Sequence, residues 1–354
     1  MRSVMDPVGI AVVGCGNIGM QYLESLHGQP LVNILGMTDP LPERAAHAAK
    51  AYGCRVYQSL TEILEDPQVD IVVNLTPAAV HPEIIRQCVG AGKHVYSEKP
   101  LAFQFDEANE LVKLAEKQQV ILAVSPFLHL GTAQQEMKQM IRDGAIGSVR
   151  VVYAEANHGR IESWHPNPEA FYDVGPLIDV GVYPITLLTD WFGAVHRVWA
   201  YGSQIAPVRV RKDGISFRGT AWDFVVVILE FAEGVIARLT VNFYVGSRTK
   251  QGEMIECHGD RGSLYLSYWL LPDARIEAAD FEQPYETVAH RVEPIPSFEW
   301  GSGVVELAEA IVTGRRCRMS ASQSAHVVDV LNATERAVTQ GTGVAVDSRF
   351  SREN

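Results

Sequence analysis

The sequence predicts two domains: an N-terminal α/β domain with a doubly wound parallel sheet, and a C-terminal α+β domain with one broad antiparallel or mixed sheet. Three observations indicate this fold class. A glycine motif joins an apolar run to a helix-like run near residue 14, strand and helix signals alternate through the first 128 residues, and β-rich stretches dominate residues 196–292. A chain of 354 residues is long enough for more than one core, so we expect domains at residues 1–128 and 129–354.

The first element is an apolar strand that ends in the pattern Gly-x-Gly-x-x-Gly, followed by a run without helix breakers. This strand–turn–helix context is typical of dinucleotide binding in a Rossmann domain. There the first glycine allows a tight turn, the second admits the pyrophosphate, and the third lets the helix pack on the strand. The helix N-terminus offers its free N–H groups to the phosphates. The predicted contacts are Gly14, Gly16, Asn17, Ile18 and Gly19. A glycine-rich turn in an unrelated fold is the alternative.

The second strand, predicted over residues 31–37, is followed by Asp39, twenty residues after Gly19. A carboxylate at this point accepts hydrogen bonds from the adenosine ribose hydroxyls and repels a 2′-phosphate. The sequence therefore favours NAD as the cofactor, with NADP as a possible alternative.

The remaining strands of the first domain are expected at residues 70–75, 94–96 and 120–124, with a helix over 106–118 and a capping box at Ser59 and Glu62. Ligands of doubly wound sheets bind beyond the carboxyl ends of the strands. Two segments fall there and supply further predicted cofactor contacts, namely Thr76, Pro77 and the nearby His81, and Glu98 with Lys99.

The composition narrows the class of partner. The net charge of −12 and the lack of a long basic run disfavour nucleic acid and anionic membranes, and no apolar stretch is long enough to span a bilayer. The five cysteines are scattered without a Cys-x-x-Cys pair, and the start of the sequence lacks the apolar core of a signal peptide. We therefore expect a cytoplasmic protein with no disulfide framework. The spacing of potential ligands predicts no metal site.

The second domain begins with a predicted helix over 132–143 and a strand over 149–156, followed by a polar, proline-rich loop. Residues 171–192 combine glycines with a helix-like apolar run. Strands over 224–231 and 235–245 are separated by a short turn, which predicts a hairpin. Helices over 304–312 and 321–338 complete the chain.

At Ser97-Glu98-Lys99-Pro100 and Asp179-Val180-Gly181-Val182-Tyr183 the sequence resembles the Gfo/Idh/MocA oxidoreductases, named for glucose–fructose oxidoreductase and inositol dehydrogenase. The resemblance covers nearly the whole chain, from the glycine motif to a closing helix with His326. It implies a Rossmann domain followed by a domain with a large open sheet. That sheet commonly carries the oligomer interface, which implies a homodimer or homotetramer. Members mostly oxidise or reduce sugars, polyols and related compounds, so the resemblance also implies a sugar-like substrate.

The resemblance identifies Lys99 as the catalytic lysine. Oxidation of a secondary alcohol needs a base for the hydroxyl proton and a cation for the developing alkoxide charge. The family's common histidine, four residues after the motif aspartate Asp179, is replaced here by Tyr183, as in some other members. A tyrosine of pKa about 10 needs a nearby cation to act as a base. We therefore expect a Lys99–Tyr183 pair, with Asp179 orienting the substrate or the lysine. The alternatives are a packed aromatic ring at 183 and a helix-capping carboxylate at 179.

Three further polar residues are candidates for binding substrate hydroxyls. His158 follows the predicted strand over 149–156, and His165 and Asn167 lie in the loop after it. Either histidine is also an alternative to Tyr183 as the acid/base. Each of the three is equally compatible with an ordinary loop position.

Three functions remain open at this stage. The first is an NAD(P)-dependent dehydrogenase or reductase that acts on a secondary hydroxyl or keto group of a sugar or polyol. The second is an NAD-dependent glycosidase that oxidises the ring only transiently, and the third is a non-catalytic sensor that binds a dinucleotide. The presence of Lys99 and Asp179 favours an enzyme, because a sensor needs no groups that handle a proton.

Overall fold

The first sheet is built from short apolar strands that are covered on both faces. Its central strand β1 (Val8–Val13) is buried at all six positions, the pattern of a parallel strand between helices. The computed structural model describes residues 7–293 and 299–351. The other strands of this sheet are β2 (Val32–Thr38), β3 (Arg55–Val56), β4 (Ile71–Asn74), β5 (His94–Ser97) and β6 (Leu122–Val124). Their order is β3-β2-β1-β4-β5-β6 and every pair is parallel, which confirms the predicted doubly wound Rossmann sheet.

Helices cover both faces of this sheet and close its core. They are α1 (Asn17–Leu26), α2 (Pro42–Tyr52), α3 (Leu60–Glu65), α4 (His81–Gly90) and α5 (Phe105–Gln118). Ser59 caps α3 as expected, because its Oγ accepts from Glu62 N at 3.2 Å, while Glu62 Oε2 accepts from Gln58 N at 2.6 Å, one residue before the position of a capping box. Buried side chains of the sheet and of α4 and α5, such as Val72, Ile85 and Leu111, belong to one apolar cluster. Because the neighbouring strands are parallel, the carboxyl ends of β1, β2, β4 and β5 lie at one edge of the sheet.

The second sheet is mixed and larger. Its strands, in spatial order, are β16 (Glu286–Val288), β15 (Ile276–Asp280), β14 (Gly262–Leu266), β13 (Ile255–Gly259), β7 (Val149–Asn157), β12 (Ile236–Asn242), β11 (Phe224–Phe231), β8 (Val195–Ser203) and β17 (Val344–Ala345). Only β7 and β12 run parallel. The predicted hairpin of β11 and β12 is confirmed. Buried and half-buried residues alternate along β11, as expected for a sheet with one covered face.

The helices of the second part are α6 (Thr132–Arg142), α7 (Glu169–Val174) and α8 (Val182–Phe192). A π-helical turn, Leu177–Gly181, leads directly into α8, and its Gly181 lies against Val241 of β12. A separate two-stranded hairpin, β9 (Val208–Val210) and β10 (Ser216–Arg218), leaves the sheet between β8 and β11. The sequence pattern predicts neither the π-helical turn nor this separate hairpin.

The last two helices are α9 (Ser302–Thr313) and α10 (Ala321–Gln340). Within the described residues the chain forms two compact units, 7–127 with 299–328, and 128–293 with 329–351. This division differs from the expected one at residue 128, because residues 299–328 belong to the first unit. The cause is packing over a long sequence separation: Gly301 N donates to Ser25 Oγ at 3.0 Å, and the Trp300 ring lies 5.7 Å from that of Tyr22.

Candidate active site

Three glycines at the end of β1 meet different steric demands. Gly14 has a φ of +98°, and a Cβ there would stand 2.7 Å from Leu75 O. A Cβ on Gly19 would stand 2.5 Å from Gly14 O, so α1 can approach the turn only without a side chain. At Gly16, in contrast, no described atom beyond its two chain neighbours lies within 4 Å of the Cβ position. This open space above the start of α1 is where a pyrophosphate would fit against free N–H groups.

Asp39 follows β2 at the same edge of the sheet. Its Oδ2 accepts from Cys15 N at 2.8 Å and its Oδ1 accepts from Leu41 N at 2.9 Å. The carboxylate is thereby fixed beside the glycine turn while remaining partly exposed. Burial and the neighbouring Asp39 raise the pKa of the Cys15 thiol to about 12, so the thiol stays neutral under the turn. These features fit the expected ribose contact.

The ends of β4 and β5 are held together by buried polar side chains. Asn74 Nδ2 donates to Ser97 Oγ at 3.1 Å, and Thr76 Oγ1 donates to Asn74 Oδ1 at 2.7 Å. His81, only 1% exposed, places its two ring nitrogens 2.8 Å from Thr76 O and 2.9 Å from Pro100 O. Because His81 is buried and both its ring nitrogens are engaged, its position indicates a role in holding the loops after β4 and β5 together. The sequence predicts a contact with the cofactor instead.

Glu98 and Lys99 lie directly after β5, where the sequence placed them. Glu98 Oε1 accepts from the Tyr22 hydroxyl at 2.5 Å, and Glu98 Oε2 accepts from Lys99 N at 3.1 Å. The Tyr96 hydroxyl lies 3.0 Å from that of Tyr22. Burial and the adjacent Glu98 raise the pKa of Tyr22, so it remains a donor. This network fixes the backbone that carries Lys99, and both site residues remain partly exposed.

Asp179 and Tyr183 lie four residues apart, one on the π-helical turn and the other in the first turn of α8. Such turns often mark functional sites because they change the direction of side chains within a helix. The Tyr183 ring stacks on Trp269, with ring centroids 5.5 Å apart and an interplanar angle of 20°. Trp269 is itself fixed, since its Nε1 donates to Glu155 O at 2.9 Å. The phenol of Tyr183 is thus held by an aromatic contact, and the ring is only partly buried.

His158 stands at the carboxyl end of β7 and pairs with a carboxylate that the sequence analysis missed. Its Nδ1 lies 2.9 Å from Oε1 of Glu253, whose side chain is 3% exposed. Glu253 O also accepts from Trp269 N at 3.0 Å, so one loop residue contacts both His158 and the support of Tyr183. The second unit therefore brings two sequence-predicted residues, His158 and Tyr183, into one group.

His165 and Asn167 lie in the loop after β7, next to an exposed indole. Trp164 is 51% exposed, and its ring makes edge contacts with those of His158, His165 and Phe171. Asn167 N donates to His165 Nδ1 at 3.0 Å, so the main chain of Asn167 fixes the histidine. The second unit thus places all three predicted substrate residues around or near one aromatic ring.

This loop is anchored by a buried charge cluster. Arg209, on β9, donates to Glu162 Oε1 at 3.1 Å and to Asp223 Oδ2 at 2.6 Å, and its guanidinium lies 4.7 Å from the ring centroid of Tyr172. The Tyr172 hydroxyl also donates to Glu162. The unforeseen hairpin of β9 and β10 therefore supplies a support for the candidate substrate loop.

Glu253 and Trp269 are the residues that sequence reasoning missed. Both lie at loop positions in this structure, about 100 residues after the groups they support, and neither belongs to a recognisable motif. The one sign in the sequence that this loop is tightly packed is Gly252, the residue before Glu253. A Cβ on Gly252 would stand 1.8 Å from Ser247 O, so the loop requires glycine there.

Across residues 7–293 and 299–351, no three His, Cys, Asp or Glu side chains are grouped so that they could hold a metal ion. Over the same residues, no helix has the length and apolar character needed to cross a membrane.

Comparison with known proteins adds evidence for the family. Residues 8–125 match the model of an oxidoreductase family with an NAD-binding Rossmann fold, and residues 134–265 match the model of the GFO/IDH/MocA C-terminal domain. The first match identifies the N-terminal domain as NAD-binding, in agreement with the glycine turn and Asp39.

Individual relatives align with this chain over most of their length and carry the names of sugar reductases or oxidoreductases. The chain is 30% identical to 1,5-anhydro-D-fructose reductase of Ensifer adhaerens, over 72% of this chain and 74% of the relative. It is 25% identical to a dTDP-3,4-didehydro-2,6-dideoxy-α-D-glucose 3-reductase of Actinomadura kijaniata, over 93% and 95% of the two chains. The fold matches that of an aldose–aldose oxidoreductase from Caulobacter crescentus complexed with glycerol, with a TM-score of 0.81 and 21% identity over 96% and 100% of the chains. Taken together, the two domain matches and these relatives show that the chain belongs to the Gfo/Idh/MocA family of oxidoreductases.

Proposed function

We propose that this protein is an NAD-dependent dehydrogenase or reductase that acts on a secondary hydroxyl or keto group of a sugar, a polyol or a sugar derivative. The observation that carries the proposal is the shared position of the open turn at Gly16, the fixed carboxylate of Asp39 and Lys99, all at one edge of the parallel sheet. In doubly wound sheets this edge is where dinucleotides bind.

NAD is preferred over NADP because Asp39 occupies the ribose position. Its carboxylate accepts two main-chain hydrogen bonds and keeps further lone pairs for the ribose hydroxyls. A 2′-phosphate at that place would face a negative charge. NADP binding is therefore the weaker alternative.

The nicotinamide, when bound, supplies the site that takes up or releases the hydride. Lys99 holds the reacting oxygen and stabilises its negative charge. During oxidation the deprotonated phenolate of Tyr183 accepts the hydroxyl proton and becomes the phenol; during reduction the phenol returns that proton. Asp179 orients the substrate. The stacking of Tyr183 on Trp269 supports this role, because a fixed phenol loses little freedom in the transition state. The competing assignments of the proton are His158 and His165.

A sugar-like substrate is supported by the side chains of the second unit. Imidazole and amide groups surround the half-exposed indole of Trp164, which suits a molecule with polar edges and an apolar face. The relatives described above act on anhydro- and deoxysugars, which favours the same chemical class.

The test is nicotinamide absorbance over a panel of D-glucose, D-galactose, D-xylose, myo-inositol and the corresponding keto compounds, with NAD(H) and, for comparison, with NADP(H). We expect turnover with at least one member and a preference for NAD. Cleavage of a nitrophenyl glycoside without net NADH would instead indicate transient oxidation. Dinucleotide binding without turnover of any member would contradict an enzymatic function.

The proton assignment is tested with Lys99→Met and Tyr183→Phe. Each should lower kcat by about a hundredfold or more while leaving the Kd for NAD nearly unchanged, in line with typical contributions of acid–base groups. If the two residues serve one proton transfer, the double variant should be little slower than either single variant. A mild effect of Tyr183→Phe would move the assignment to His158 or His165.

We also propose that the protein is a cytoplasmic homodimer or homotetramer assembled through the second sheet. The exposed face of that sheet carries large apolar side chains, namely Tyr153, Trp199, Tyr201 and Ile236. Such a patch favours burial against a second copy. The five free cysteines fit a reducing compartment. Sedimentation of wild type and Trp199→Arg tests the assembly, and a monomeric wild type would contradict it.

A further inference from the structure

Two histidines flank Trp164, and the structure gives their rings opposite hydrogen-bonding partners. The ring centroids of His158 and His165 lie 6.3 Å and 5.5 Å from that of Trp164, and both rings stand nearly perpendicular to the indole. The indole itself is half exposed. Any ligand that covers this indole therefore lies close to both histidines.

The partner of His158 is an acceptor. Glu253 is buried, and its Oε1 lies 2.9 Å from His158 Nδ1. The same carboxylate accepts a hydrogen bond from Tyr268, and burial together with Glu253 raises the pKa of Tyr268, so that hydroxyl stays a donor. With Glu253 as the acceptor in both contacts, the hydrogen lies on Nδ1 of His158. In a neutral ring, Nε2 is then an acceptor.

The partner of His165 is a donor. Asn167 N donates to His165 Nδ1 at 3.0 Å, which requires a lone pair on that nitrogen. In a neutral ring the hydrogen then lies on Nε2. His165 therefore presents the opposite hydrogen-bonding group from His158, although the two side chains are chemically identical.

Both rings are also held in place. The main-chain N of His158 donates to Asn242 O at 3.1 Å, and its ring contacts Phe243 with centroids 6.3 Å apart. The ring of His165 lies 4.8 Å from that of Phe171. Because packing limits both rings, the direction of each Nε2 is set before a ligand arrives, which lowers the entropic cost of binding.

We propose that Trp164, His158 and His165 form a specificity site that reads an apolar ring face flanked by one hydrogen-bond donor and one acceptor. A hydroxyl of the substrate donates to Nε2 of His158. A second oxygen of the substrate, from a hydroxyl, ring ether or ketone, accepts from Nε2 of His165. Glu253 is a positioning residue that acts through His158. This inference deepens the proposed function and rests on it for the identity of the ligand as a sugar.

The tautomers are tested by NMR of the full chain labelled with ¹⁵N in its histidine rings. Spectra are recorded at alkaline pH, where free imidazole is neutral. Single variants His158→Gln and His165→Gln identify the two sets of signals. We expect pyrrole-type Nδ1 and pyridine-type Nε2 for His158, and the reverse for His165. The opposite pattern in either ring, or a doubly protonated His158, would overturn the proposal, whether or not any sugar is a substrate.

Glu253→Gln tests the positioning role. An amide can both donate and accept, so we expect His158 to change to a mixture of tautomers while His165 is unaffected. The matched control is Glu136→Gln, which alters another close pair, where Glu136 Oε2 lies 2.6 Å from His290 Nδ1. The control should change only the His290 signals. An unchanged His158 in Glu253→Gln would overturn the role of Glu253; if that variant does not fold, the wild-type spectrum still decides the tautomer.

Ligand recognition is tested by kinetics with the most rapidly converted member of the sugar panel. Trp164→Ala and His158→Gln should each raise KM by about tenfold, the effect of one lost hydrogen bond or ring contact, with kcat changed less than KM. An unchanged KM in both variants would overturn the assignment of this site. Absence of turnover by the wild type would contradict the proposed function instead, and leaves the NMR result as the measure of the tautomers.

Discussion

Replacement of Gly16 with serine should weaken NAD binding without weakening the fold. Gly16 is the residue before α1, with φ of −75° and ψ of −169°, a conformation that serine adopts readily and in which it caps helices. Beyond its two chain neighbours, a Cβ at this position meets no described atom within 4 Å. Serine and glycine differ by only a few tenths of a kcal/mol at such positions, so we expect the Tm without cofactor to change by no more than about 1 °C.

The loss of NAD affinity follows from the same geometry. The new side chain occupies the space above the turn, and its hydroxyl accepts one of the N–H groups that would otherwise face the pyrophosphate. We expect the Kd for NAD to rise by at least about tenfold, which is about 1.4 kcal/mol. Calorimetric titration measures the Kd, and thermal unfolding with and without NAD measures the accompanying loss of ligand stabilisation.

Gly19→Ala is the contrasting variant. Its Cβ would stand 2.5 Å from Gly14 O, a backbone atom that cannot easily move away. Overpacking of this kind costs about 1–3 kcal/mol, and the better helix propensity of alanine returns about 1 kcal/mol. We therefore expect a lower Tm already without NAD. Unchanged NAD affinity in Gly16→Ser, or equal destabilisation of the cofactor-free protein by both variants, would refute the assignment of the glycine turn.

Three further predictions concern charged residues. Asp39→Ala should raise the Kd for NAD more than that for NADP, and a wild type that already prefers NADP would contradict the ribose contact. Burial alone would raise the pKa of Glu306, but hydrogen bonds from Arg315 and Arg318 lower it to about 2. Its contribution to stability is thus present above pH 4.5, the ordinary value, and lost as the pH falls toward 2. Glu306→Gln should therefore lose about 2 kcal/mol in urea unfolding at neutral pH and much less below pH 3, whereas an equal loss at both would be inconsistent with the lowered pKa. Arg209→Met should cost about 3–5 kcal/mol, because two buried carboxylates lose their cation. A Tm within 1 °C of wild type would exclude a structural role for that cluster.

The part of the site that sequence could predict is the part set by local geometry. Gly14, Gly16 and Gly19 are readable because turn, approach and packing each restrict a single position. Asp39 is readable because it follows a strand at a fixed spacing. The family resemblance supplied Lys99, which stands at a strand end as expected.

The part that sequence could not predict depends on contacts between distant segments. Glu253 pairs with His158 across 95 positions, and Ser25 pairs with Gly301 across 276. A glutamate in a loop carries no local sign that it will be buried. The π-helical turn at Leu177–Gly181 was also hidden, because its composition is that of any apolar helix. Hydrophobic periodicity reports which face is buried, but not which partner covers it.

The most direct test of the central claim is a crystal structure of this protein with NAD bound. We expect the adenosine ribose against Asp39, the pyrophosphate over Gly16 and the nicotinamide beside the ammonium of Lys99. A dinucleotide bound elsewhere, or an ammonium directed away from the nicotinamide, would contradict it.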